Sequence, residues 1–131
     1  QVACFRNAAA HLAPGGCFVI EVVVPDLQRL PPGENRRIFA ARPGYVGFDE
    51  YTDFAGQILY SHHWVATDEG LDVSSAPFRY VWPSELDLMA QLAGMSLRER
   101  WATWSREPFT GTEQSHVSVW ELTPTTRQRS D

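Results

Sequence analysis

The sequence predicts an α/β protein with an antiparallel β-hairpin set into it, and three observations predict that class. The run "CFVIEVVV" (17–24) is apolar and β-branched on both faces except at Glu21, the pattern of a strand covered by helices on two sides. "PSELDLMAQLAGM" repeats its apolar residues at helical spacing. "QILYSHHWVA" and "LDVSSAPFRYVW" alternate on either side of the turn-forming "TDEG".

The elements follow in order. Val2, Phe5, Ala9 and Leu12 are spaced for a helix over 2–13, which Gly15 or Gly16 stops. The strand 17–24 comes next and Pro25 ends it. Glu21, alone in that run, is expected to be buried and therefore to need a partner or a shifted pKa. Residues 28–56 carry "LPPGENRR" and "ARPGY" and read as a long irregular excursion with at most a short helix. In the hairpin, period-two counting puts Ile58, Tyr60, His62 and Trp64 on one face, and Leu59, Ser61, His63 and Val65 on the other. Tyr80 and Trp82 share a face of its second strand, and Arg79 points the other way, toward an acidic partner.

The helix from Pro83 has Glu85 and Asp87 at its positive end, Gly94 at its C-terminus, and Leu86, Met89, Ala90 and Ala93 on its packing face. "SLRERWATW" and "HVSVWEL" are strands, and the tail from Pro124 is polar and frayed.

Bulk properties narrow the function. A 131-residue chain has room for one domain with its own core. A net charge of −5 argues against a nucleic-acid surface, which needs clustered cations. No run is long enough to span a bilayer, and no signal peptide opens the chain. Opening on Gln1 fits a chain cut from something longer. The 11 cationic residues are all Arg, which reads as the coding bias of a GC-rich bacterial genome. Cys4 and Cys17 match neither a redox pair nor a zinc spacing, and a buried, reduced Cys17 suggests the cytoplasm. The four histidines are dispersed, so no metal site is expected.

Taken in order, "HLAPGGCFVIEV", "FRYVWPSELDLMAQLAGMSLRERW" and "HVSVWEL" resemble the C-terminal half of class I S-adenosylmethionine-dependent methyltransferases, most closely the bacterial small-molecule type. The resemblance implies a partial Rossmann-like sheet. Residues 17–24, 96–104 and 116–122 would be strands five, six and seven, with the last in the middle and antiparallel to both. It implies a domain over 1–124 with an insert at about 28–82, where the family places substrate-covering elements, and a polar tail over 125–131.

The family's glycine-rich loop and acidic cofactor residues have no counterpart here. The resemblance therefore implies S-adenosylmethionine for the intact protein only, no cofactor-binding residue in this chain, and no activity of the chain alone. Its partner would be a small-molecule methyl acceptor. An unpaired edge on 17–24, without Lys or internal Pro, would favour self-association.

Methyl transfer needs a positioned acceptor and, for some acceptors, a base. His62 reads either as that base or a substrate contact, or as a core histidine bonded to backbone. Trp64, Tyr80 and Trp82 read as pocket walls or as core aromatics. Val24, Pro25 and Asp26 sit where a parallel strand ends, the usual place for a ligand cleft. Two other functions compete: a self-contained α+β domain that encloses a small apolar ligand, and a non-catalytic interaction module.

Overall fold

The computed structural model describes residues 1–124. They form two compact units, 1–24 with 82–124, and Pro25–Val81.

The first unit holds helix α1 (Val2–His11), strand β1 (Cys17–Val23), helix α2 (Pro83–Leu92), and strands β6 (Met95–Trp101) and β7 (Ser115–Leu122). The sheet order is β1-β7-β6, with β7 antiparallel to both neighbours, so β1 and β6 run the same way on either side of it. This is the strand order the resemblance implies. The Val24 amide carries the pairing one residue past β1 by donating to the Gln114 carbonyl at 2.8 Å. β6 stops at Trp101, three residues short of the expected end, where the chain turns away with Arg106 at a φ of 63°.

Both helices lie on one face of this sheet. Phe5 of α1 meets Phe18 and Trp120 edge-on, with ring centroids 5.2 and 5.3 Å away. From α2, Leu86, Met89 and Ala90 are buried, as their spacing predicts. Glu85 accepts a hydrogen bond from the Trp82 amide at 2.9 Å, satisfying a donor that the helix itself cannot pair. Gly94 takes a φ of +76° to end the helix.

The expectation that β1 is covered on both sides is corrected. On its other face Val19 and Val23 are 39% and 71% exposed, and Glu21 is exposed beside them. Glu21 is therefore not a buried charge. It accepts the Trp104 indole N–H at 2.9 Å, from the loop that follows β6.

The second unit is a four-stranded antiparallel sheet in the order β2-β3-β4-β5. Its strands are β2 (Arg36–Arg42), β3 (Tyr45–Asp53), β4 (Ile58–Thr67) and β5 (Gly70–Arg79), preceded by a 3₁₀ turn at Leu27–Arg29. The β4–β5 hairpin matches the sequence reading. The excursion expected over 28–56 does not: it supplies two strands, so the hairpin is half of a larger sheet. "ARPGY" is a tight hairpin turn with Pro43 and Gly44 at its centre, and Gly44 holds a φ of +76°. Proline followed by glycine at the centre of a turn suits the type II geometry.

A second glycine is required sterically. A Cβ on Gly47 would lie 2.4 Å from the Phe39 ring, which packs over it from β2. Tyr80 and Trp82 do not share a β5 face, because β5 ends at Arg79. Arg79 donates to Gln57 Oε1 at 2.6 Å.

Candidate functional site

The β4–β5 turn fixes where the polar side chains of the second unit meet. A two-residue loop at Asp68–Glu69 pairs Thr67 with Gly70, and the same register places Ser75 opposite His62. On the other side, β3 sets Phe48 opposite His62. His62 therefore stacks on Phe48 with centroids 4.6 Å apart and planes 23° apart, and lies beside Tyr60 at 6.3 Å. Trp64, 41% exposed, stands edge-on to Phe48 at 5.3 Å. The face that alternation assigned to Tyr60, His62 and Trp64 is real, and Phe48 belongs to it.

One nitrogen of His62 is hydrogen-bonded and the other is buried without a hydrogen-bond partner. Nδ1 lies 2.6 Å from Ser75 Oγ, and Nε2 lies 3.4 Å from Glu50 Oε2. The latter is within ion-pair reach and long for a hydrogen bond. Arg36 donates twice to Glu50 Oε1, at 2.9 and 2.7 Å, and holds that carboxyl below its ordinary range. Glu50, Ser75, Phe48 and Arg36 were missed by sequence reading. Two of them lie on β3, in the segment expected to be a loop. Ser75 could have been found by carrying the register back from the "TDEG" turn.

His63 points to the opposite face, as alternation requires. Its Nδ1 sits 2.7 Å from the Tyr45 hydroxyl, with Phe39 edge-on at 5.6 Å and Arg42 4.2 Å above the Tyr45 ring. Tyr80 is buried and meets Tyr51 edge-on at 5.5 Å. Burial raises the Tyr51 hydroxyl above its ordinary range. At the end of β1, Val24 is half-buried and Pro25 buried, while Asp26 pairs with Arg37 and with Arg29 at 3.6 Å. Trp82 is half-buried and precedes α2.

The first unit has its own part-buried polar network, also missed. Arg100 donates to Asp87 at 2.7 and 3.2 Å and to Ser118 Oγ at 2.7 Å, and Trp120 donates to Asp87 at 3.1 Å. His116 is fully buried with Nδ1 2.7 Å from Ser118 Oγ. Burial, and then the Arg100 charge, lower its pKa to about 4. Among the described residues there is no cluster that could hold a metal ion, and no helix long and apolar enough to cross a membrane.

The fold matches solved proteins. The CcbJ methyltransferase from Streptomyces caelestis superposes with a TM-score of 0.80 and 35% identity, over 95% of this chain and 50% of that one. The chain is a half-length methyltransferase-like domain.

An S-adenosylmethionine-dependent methyltransferase from Clostridium acetobutylicum shares the fold at 12% identity, with a TM-score of 0.66 over 94% of this chain and 51% of that one. So does S-adenosylmethionine-bound CalS10, an amino pentose methyltransferase from Micromonospora echinaspora, at 21% identity and a TM-score of 0.54, over 93% of this chain and 50% of that one. The half-domain thus spans about half the length of the structures it matches. No protein-family model and no curated protein sequence matches it.

The described residues do not fit the methyl donor. Holding a nucleoside needs backbone amides brought close by glycines where a strand enters a helix, and an acidic group for the ribose. The positive-φ glycines here are Gly15, Gly33, Gly44, Gly70, Gly94 and Gly111, in hairpin turns, loops and behind helices. The junction from β5 into α2, Tyr80 to Trp82, contains none.

Proposed function

We propose that this chain is the substrate-side half of an S-adenosylmethionine-dependent small-molecule methyltransferase, inactive alone, working in the cytoplasm of a bacterium. The observation that carries the reading is the 35% identity to the CcbJ methyltransferase along 95% of the chain. In the intact protein S-adenosylmethionine is the donor, bound mainly by residues outside this chain, and a small molecule is the acceptor. The second unit is the insert that receives it.

The acceptor contacts in this reading are His62 and Trp64 on the aromatic face, with Tyr80, Pro25 and Asp26 of the same unit contributing further contacts. A half-exposed Trp beside stacked rings supplies apolar area, and Glu50, His62 and Ser75 supply the few polar groups that orient a ligand. The test is the kinetics of the complete methyltransferase. His62→Ala and Tyr80→Phe lower methyl transfer and leave donor affinity nearly unchanged. If both variants only lower thermal stability, with activity per folded molecule intact, these residues are core and the reading fails.

A further inference from the structure

We propose that Ser75, and not His62, is the group on this face that takes the proton of the methyl acceptor, with His62 and Glu50 acting behind it as a proton relay. The proposal rests on the acceptor-face reading above. A histidine that takes a proton from substrate directly needs an accessible ring nitrogen, and His62 has none: Nδ1 is bonded to Ser75 Oγ at 2.6 Å, and Nε2 is buried without a hydrogen-bond partner, 3.4 Å from Glu50 Oε2.

The direction of the relay follows from charge. Two hydrogen bonds from Arg36 keep Glu50 ionised, and a carboxylate facing Nε2 stabilises the proton on that nitrogen. Nδ1 is then an acceptor, and the Ser75 hydroxyl donates to it. The ring is held by its stack on Phe48 and by Tyr60 beside it, so the tautomer and orientation are fixed together. Ser75 itself is exposed, on a strand with no neighbour on its outer side among the described strands. Its oxygen lone pairs are open to a ligand N–H or O–H.

An acceptor that exchanges a proton for a methyl group must shed that proton. The electron pair of its N–H or O–H bond stays on the acceptor atom, and the proton passes to Ser75 Oγ. The serine's own proton moves to His62 Nδ1, and Glu50 offsets the resulting imidazolium charge. The same path returns the proton to water. Acid–base groups placed like this contribute about a hundredfold or more in rate.

The first test needs no acceptor. Long-range ¹H–¹⁵N NMR of the 131-residue chain at pH 8 reads the tautomer of His62. The Nε2–H form is expected, shifting toward a mixture in Glu50→Gln and in Ser75→Ala while the backbone spectrum of the second unit is retained. An Nδ1–H form in the parent chain, or no response to either substitution, overturns the relay and leaves the acceptor face standing.

The second test is kinetic, in the complete methyltransferase. Ser75→Ala lowers kcat about a hundredfold with little change in donor KM, and Ser75→Thr restores most of it. Full kcat in Ser75→Ala overturns the proposal; if Trp64→Ala keeps full activity as well, the acceptor-face reading falls with it.

Discussion

Lowering the pH from 7 to 5 should destabilise the first unit through one residue, His116. An unfolded histidine titrates near its ordinary value, whereas the buried ring, next to Arg100, takes a proton only at about 4. Between those values the unfolded chain binds a proton that the folded chain refuses. The contribution of His116 is therefore fully present above about pH 6.5 and is lost as the pH falls toward about 4. Integrating between pH 7 and pH 5 gives a loss of about 2 kcal/mol. Carboxylates titrate mostly below this window, so the slope belongs chiefly to the histidine.

The assay is a pair of urea titrations at the two pH values, on the parent chain and on His116→Asn, which can still bond Ser118 but carries no titrating group. The parent should lose about 2 kcal/mol more than the variant on acidification. Equal slopes in the two proteins, or an NMR titration placing His116 near its ordinary value, would refute the reasoning.

Other outcomes follow from the same geometry. Asp87→Ala leaves the mostly buried Arg100 without its charge partner and the Trp120 indole without its acceptor and should cost about 3 kcal/mol in urea titrations, whereas Glu121→Ala, at an exposed pair with Arg98, should change stability far less. Gly47→Ala must displace the Phe39 ring and should cost about 1–3 kcal/mol, and the nuclear Overhauser effect between the Phe39 and His63 rings should disappear. The outer edge of β1 is unpaired among the described strands, so light scattering should show the chain self-associating. Val23→Lys, at a position 71% exposed, should reduce that association.

Much of the first unit is legible in the sequence because each of its elements is locally determined. Pro83, Glu85 and Gly94 mark the ends of α2, and the apolar run of β1 can only be a buried or half-buried strand. The position of β7 between β1 and β6 is not legible from any residue and comes from the resemblance alone. The covering of β1 escapes sequence reading because apolar composition says what a strand can bury, not what this chain supplies to bury it.

The excursion over 28–56 defeats sequence reading for a different reason. Gly33, Gly44 and Gly47 look alike in sequence, yet Gly44 makes a hairpin turn and Gly47 makes room for Phe39. Without β2 and β3 as strands, Arg36, Phe48 and Glu50 cannot be placed around His62. The hidden partners of His116 follow the same logic: His116 and Ser118 are two apart on a strand and share a face, but only the tertiary fold buries it.

The central claim is that this chain shapes the acceptor side of a methyltransferase and leaves the donor to residues it does not contain. Calorimetric titration of S-adenosylmethionine tests it most directly, on the chain alone and on the chain fused behind the half of the CcbJ methyltransferase that it does not match. The account predicts no saturable binding by the chain alone, weaker than about 1 mM, and binding in the micromolar range by the fusion. Micromolar binding by the chain alone, or a folded fusion that binds no donor, would contradict it.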